Sequence, residues 1–130
     1  FVTDCGNHKI RRMEVATGAV TVSTLAGSGE EGDADGVGGA AEFLWPYGLA
    51  ISPDGSVLFV TDCGNHKIRR MEVATGAVTT LAGSGEDCDA DGVGDVAQFD
   101  CPEEVAISPD GSTLLVRSRG GLRQVCVAAP

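Results

Sequence analysis

Short apolar runs alternate with turn-forming clusters along the whole chain. Residues 47–52 (YGLAIS) form one such run, and Pro53-Asp54-Gly55 closes it, with Pro presetting φ and Gly free to adopt φ > 0. Residues 57–61 (VLFVT) are strongly apolar, the pattern of a strand buried on both faces. Cys63-Gly64-Asn65 is a second turn, and residues 67–73 (KIRRMEV) read as an amphipathic strand. Ala74-Thr75-Gly76 is a third turn, and residues 77–82 (AVTTLA) a fourth strand. A long loop over 83–101 follows.

This unit recurs. FVTDCGNHKIRRMEVATGAVT at 1–21 returns letter for letter at 59–79. TLAGSGE at 24–30 returns at 80–86, because Val22-Ser23 is an insertion of two residues in the first copy. GDADGVG at 32–38 answers CDADGVG at 88–94, and AISPDGS at 50–56 returns at 106–112. An insertion of two within a strand keeps every later side chain on its original face; an insertion of one would invert them. Four antiparallel strands, repeated in tandem, are the signature of a propeller blade.

The order LFVTD, GNHKIRRM, ATGAVTTLAGSG and then a loop with Ala-Asp-Gly and Phe-x-x-Pro resembles the NHL repeat. The naming triplet stands at Asn7-His8-Lys9 and Asn65-His66-Lys67, with Lys where Leu is common. The resemblance covers nearly the whole chain. It implies an all-β fold of tandem four-stranded antiparallel blades, about two and a half of them here, from a family that most often builds six-bladed propellers. The expected layout is a partial blade over 1–26 (strands two to four) and an inter-blade loop over 27–46. A complete blade over 47–82, a second loop over 83–102, and a degenerate partial blade over 103–130 (strands one to three) follow. The last unit lacks the triplet: RSRGGLRQ at 117–124 replaces TDCGNHKIRRM.

Ten strands fall short of the roughly 24 in six blades of four. Two expectations follow. Either the sequence is a piece of a longer chain, or its copies complete their blades with one another's strands and close into rings or stack into a filament.

Charge sharpens this picture. Nine Lys+Arg face 19 Asp+Glu, a formal net charge of −10. That balance argues against nucleic acid and anionic membrane surfaces as partners, and no apolar run reaches the ~18 residues of a membrane span. The bases lie in strand regions: Lys9, Arg11, Arg12, Lys67, Arg69, Arg70, Arg117, Arg119 and Arg123. Many acids lie in the loops: Glu30, Glu31, Asp33, Asp35, then Glu86, Asp87, Asp89, Asp91 and Asp95. One reading is solvated turns with weak local pairs; the other is an interaction code in which the acidic loops of one unit meet the basic strands of the next. Asp33-Ala34-Asp35-Gly36 and Asp89-Ala90-Asp91-Gly92 resemble fragments of calcium loops. Only two carboxylates alternate in each and no distal Glu sits at the EF-hand spacing, so no metal is expected.

Five cysteines point to an oxidising compartment and a secreted or extracellular setting. Cys88 and Cys101 share one loop, and their counterparts Gly32 and Trp45 in the other loop both lack a thiol, which predicts a Cys88–Cys101 disulfide. Cys63–Cys126 is a second candidate pair, with Cys5 left over. His8 and His66 occupy one repeat position and read as structural. Phe43 and Phe99 read as plugs between blades, and Trp45 as a core cover. No catalytic motif or cofactor is indicated. The expected role is an interaction scaffold that assembles with copies of itself, into an extracellular filament. The alternative is part of a closed six-bladed propeller that binds a protein or glycan on its loop face.

Overall fold

The structure, a computed structural model, describes residues 1–127. The chain order is β1 (Val2–Asp4), β2 (Lys9–Ala16), β3 (Ala19–Ala26), β4 (Gly36–Val37), β5 (Pro46–Ile51), β6 (Val57–Asp62), β7 (Lys67–Glu72), β8 (Ala77–Ala82), β9 (Glu104–Ile107), β10 (Thr113–Ser118) and β11 (Gly121–Cys126). These form three antiparallel sheets ordered β1-β2-β3, β4-β8-β7-β6-β5 and β11-β10-β9. The fold is thus all-β, with strands in hairpin sequence as the turn chemistry requires. The tail of the third unit, 128–130, lies outside the described residues.

The core lies between the sheets. β6 is buried at every residue and serves both sides. Leu58 and Val60 pack toward the first sheet with Ile10, Ala26, Ala41, Phe43, Met71 and Val78. Val57 and Phe59 pack toward the third with Ile68, Ala82, Ala97, Phe99, Leu114 and Val116. Successive strand residues point to opposite faces, so one apolar run glues two interfaces. Phe43 and Phe99 come from the two loops, and each is buried at one interface. Burying a side chain of this size contributes about 1.5–3 kcal/mol.

Two features depart from the sequence expectations. β4 is a short strand inside the first loop, pairing Gly36 with Val78 and Val37 with Ala77. Arg119 lies in the β10–β11 turn rather than in a strand.

The inserted pair Val22-Ser23 also has a consequence beyond keeping faces. Met13 stands opposite Val22, whereas its twin Met71 stands opposite Val78, the twin of Val20. In the first hairpin the pairing runs on to Ala16 opposite Ala19 across a turn at Thr17-Gly18, with Gly18 at φ 80°. In the second, β7 ends at Glu72, and the Gly76 N–H closes a wider turn onto the Glu72 carbonyl at 2.9 Å. One sequence therefore folds into two hairpins, and the register is selected by the two added residues.

Candidate functional site

Each inter-blade loop is fastened to the following sheet by an arginine. Arg69 is fully buried. Its Nη1 donates to Asp62 Oδ2 and to the Glu42 carbonyl, and its Nη2 to Asp35 Oδ1 (each 2.8 Å) and to the Ala34 carbonyl (3.0 Å). The guanidinium also lies 5.2 Å from the Phe43 ring centroid. Lys67 Nζ donates to Asp33 Oδ2 at 2.8 Å, which holds the Asp33 carboxyl below its usual range. Thr80 adds its hydroxyl to Asp35 at 3.1 Å. Asp62 accepts from the Leu44 N–H at 2.8 Å and the Asn65 amide at 2.8 Å. Burial nevertheless pushes the Asp62 carboxyl upward, against the pull of these donors and of Arg69.

The second loop repeats the device. Arg123 pairs with Asp89 and Asp91, donates to the Gln98 carbonyl at 3.2 Å, and lies 5.4 Å from the Phe99 ring centroid. Sequence reasoning counts Arg123 among the strand bases but does not align it with Arg69, because the third unit has lost its triplet. The signal was present: LRQVCV at 122–127 matches IRRMEV at 68–73 once two residues are removed from the preceding turn. The calcium-like carboxylates Asp33, Asp35, Asp89 and Asp91 thus face the protein's own cations. Among the described residues no cluster of three or more metal-ligating side chains forms.

The remaining charged candidates behave differently. Arg11 pairs with Asp4 at 3.2 Å, Arg12 with Glu14 at 3.2 Å and Arg70 with Glu72 at 2.5 Å, all within their own sheets. Glu31 lies 3.8 Å from His8 Nε2. The stem of Lys9 runs under Gly27 and Gly29. Glu30, Glu86 and Asp87 are exposed.

The disulfide expectation is corrected by the structure. Cys101 bonds Cys63, with Cα atoms 4.3 Å apart, while Cys88 and Cys126 are exposed free thiols and Cys5 is free. The loop end reaches Cys63 because His66 Nδ1 accepts the Cys101 N–H at 3.0 Å. Cys88 sits at the far, exposed part of the loop. The argument from paired absence failed because Cys63 has a thiol twin, Cys5, in the first unit. Only the partner position varies, and there Trp45 replaces Cys101. Trp45 makes the same bond, its N–H to His8 Nδ1 at 3.2 Å. Trp45 is also not a core cover: it is 49% exposed. Both loop residues take φ near +50° (Trp45 52°, Cys101 46°), as do His8 and His66 at 55° and 56°. Because each Nδ1 accepts a backbone hydrogen, each histidine in this arrangement carries its proton on Nε2.

Toward the C-terminal ends of β1, β6 and β10 the repeats diverge. Thr3 Oγ1 donates to the Tyr47 carbonyl at 2.8 Å, and its twin Thr61 to the Glu103 carbonyl at 3.0 Å. Thr61 Oγ1 also accepts the Gly48 N–H at 2.7 Å. A Cβ on Gly48 would lie 2.6 Å from the Glu103 carbonyl oxygen and 2.8 Å from Thr61 Oγ1, so only glycine fits there. In the third unit Arg117 replaces the threonine and Glu104 the glycine. Arg117 Nη2 reaches Glu104 at 2.9 Å and Glu103 at 3.2 Å. Its contact lowers the Glu104 pKa, and Glu104 in turn raises that of Arg117. These three residues, with Tyr47 and Gly48, line a shallow cavity of about 440 Å³. Tyr47 is 54% exposed. The sequence reading named none of these as a site; the signal was the loss of the repeat at paired positions.

No protein-family model matches the chain. Protein SUPPRESSOR OF QUENCHING 1, chloroplastic, from Arabidopsis thaliana is 30% identical over 131 residues, which covers 94% of this chain. NHL repeat-containing protein 2 from Homo sapiens is 34% identical over 93 residues, which covers 66% of this chain. The chain spans 12% of the length of each of these relatives. An auxiliary nutrient binding protein from Bacteroides thetaiotaomicron superposes with a TM-score of 0.76 at 25% identity, covering 92% of this chain and 32% of that one.

Proposed function

We propose, from the premise that this chain belongs to the NHL-repeat family of β-propellers, that it acts as an interaction scaffold binding a partner where β5, β9 and β10 meet. The observation that carries this reading is the coupled replacement of Gly48 and Thr61 by Glu104 and Arg117. Glu104 and Arg117 touch each other as Gly48 and Thr61 do, and the change creates an exposed charged cluster beside Tyr47. Exposed Tyr47 and Trp45 can stack on a sugar ring or an aromatic side chain. Glu103 and Glu104 accept hydrogen bonds, and Arg117 donates them. A glycan is the partner class this mixture favours, and the nutrient-binding description of one structural neighbour supports ligand binding. The role is binding rather than catalysis. Both histidines are committed to equivalent backbone bonds. The Cys63–Cys101 disulfide supports an extracellular setting.

The test is a glycan array probed with the labelled chain, alongside the variants Tyr47→Ala and Arg117→Ala. Binding to a defined glycan set that both variants lose is the expected result. No glycan binding, or binding indifferent to both substitutions, overturns the reading.

Self-assembly is a second reading, favoured by one observation. Met71 is fully buried against the first sheet, while its twin Met13 is 46% exposed, next to Val15, Val20 and Val22 at 78%, 59% and 47%. A second copy covering this face would give rings or a filament, whereas a further blade of a longer chain would cover it without assembly. Electron microscopy and sedimentation of the chain and of Met13→Asp separate the outcomes. Assemblies dispersed by the substitution support this reading, and monomers at every concentration sink it.

A further inference from the structure

The cavity beside Tyr47 lies where two consecutive blades meet, with walls from β5, β10 and the entry to β9. Its frame is fixed. Fully buried Thr61 accepts the Gly48 N–H at 2.7 Å and donates to the Glu103 carbonyl at 3.0 Å. The Glu103 N–H donates to the Arg117 carbonyl at 2.8 Å. A Cβ on Gly48 would lie 3.3 Å from the Glu104 Cα, so backbone packs on backbone between the two blades. Tyr47 and Glu103 are repeat equivalents. Neighbouring blades thus present an aromatic ring and a carboxylate to one cavity of about 440 Å³, within the roughly 300–1,000 Å³ of small-ligand clefts.

The charges of the walls state what fits. The ionisable groups other than Tyr47 are two carboxylates and one guanidinium. Arg117 uses a single nitrogen, Nη2, on Glu104 Oε1 at 2.9 Å and on Glu103 Oε2 at 3.2 Å. One guanidinium offsets one carboxylate, so the cavity keeps a negative charge. The Arg117 contact lowers the Glu104 pKa, which keeps that carboxyl ionised. Among the described residues, Glu103 Oε1 and Glu104 Oε2 take part in no hydrogen bond or ion pair. An anionic sugar is repelled here, and a neutral one leaves the charge unanswered. An ammonium group answers it, and an aromatic face also attracts a cation.

We propose that the glycan bound in this cavity carries a free primary amine, as glucosamine does, with its ring against Tyr47 and its ammonium on Glu103 and Glu104. This inference rests on the glycan reading above and narrows it to a substrate class.

The test is isothermal titration calorimetry of the chain at about pH 6, where glutamates are ionised and an amine is protonated. The probes are fully deacetylated chitotriose, its N-acetylated form, and trilysine. The expected result is that the deacetylated trimer binds about tenfold tighter than the acetylated one, because its hydrogen bonds are charge-assisted. That preference shrinks with added salt. The double substitution Glu103→Gln with Glu104→Gln abolishes it, and Tyr47→Ala weakens both trimers. Equal binding of the trimers, or preference for the acetylated one, overturns the inference and leaves the glycan reading standing. A preference that survives the double substitution does the same. Trilysine bound as tightly as the deacetylated trimer also overturns it, because the site then reads charge without a sugar ring. Failure of both trimers on a chain that binds another glycan on the array overturns the inference alone; a blank array as well overturns the glycan reading too.

Discussion

The backbone N–H of Trp45 donates to Nδ1 of His8 at 3.2 Å, the same bond that Cys101 makes to His66 at 3.0 Å. In the second case the arrangement brings Cys101 to Cys63. In the first, Trp45 occupies the repeat position of Cys101, and Cys5, the counterpart of Cys63, is free.

Trp45→Cys is therefore expected to create a second disulfide, to Cys5. It would close a loop of roughly forty residues, for which the loop-entropy relation gives about 4 kcal/mol. A non-reducing peptide map and a denaturant midpoint check this. A free thiol at position 45 after oxidation would refute it.

Removing one partner from the buried Arg69–Asp62 pair leaves an uncompensated charge. Arg69→Ala is expected to cost about 3–5 kcal/mol. The double variant Arg69→Leu with Asp62→Leu is expected to cost less than Arg69→Ala alone, because it strands no charge. Arg123→Ala, whose carboxylate partners are exposed, is expected to cost about 1 kcal/mol or less. Urea titrations of the four proteins give the order directly.

Acid should act through the Ser-Pro-Asp-Gly-Ser turns. The Ser52 hydroxyl, with the Ser56 N–H and hydroxyl, holds Asp54 at about 2 against a usual 3.8; Ser108 and Ser112 do the same for Asp110. A lowered folded pKa contributes stability that is complete above the unfolded value and is lost as pH falls through the folded one. The turns therefore weaken between about pH 4 and pH 2. Asp62 has the opposite sign: its raised pKa favours folding most at low pH, a contribution lost as pH rises through the folded value. Carboxyl-detected NMR titration resolves the three groups. A midpoint near 4 for Asp54 would contradict the turn geometry.

Deleting Val22 and Ser23 makes the first hairpin identical in sequence to the second. The expected outcome is a register change that places Met13 opposite Val20 in place of Val22, with a wider turn at residues 15–18. Cross-strand NOEs distinguish the two pairings. Retention of the Met13–Val22 contact is impossible after the deletion, so persistence of the two-residue turn at Thr17-Gly18 is the contrary outcome.

Strand positions, turns and the blade pattern were legible in the sequence because each depends on neighbours a few residues away. Pro-Asp-Gly and Cys-Gly-Asn set their turns locally, and the unbroken apolar run at 57–61 marks a strand covered on both faces. The exact repeat supplied the order of the units. The tertiary structure decided what depends on two distant segments meeting. It joined Cys101 to Cys63 rather than to Cys88, because the loop end docks on the His66 turn. It turned Asp35 and Asp91 toward Arg69 and Arg123, left Trp45 half in solvent, and set the register of two hairpins made from one sequence. Such choices rest on which surfaces are already packed when the segments come together, and a list of residues carries no record of that.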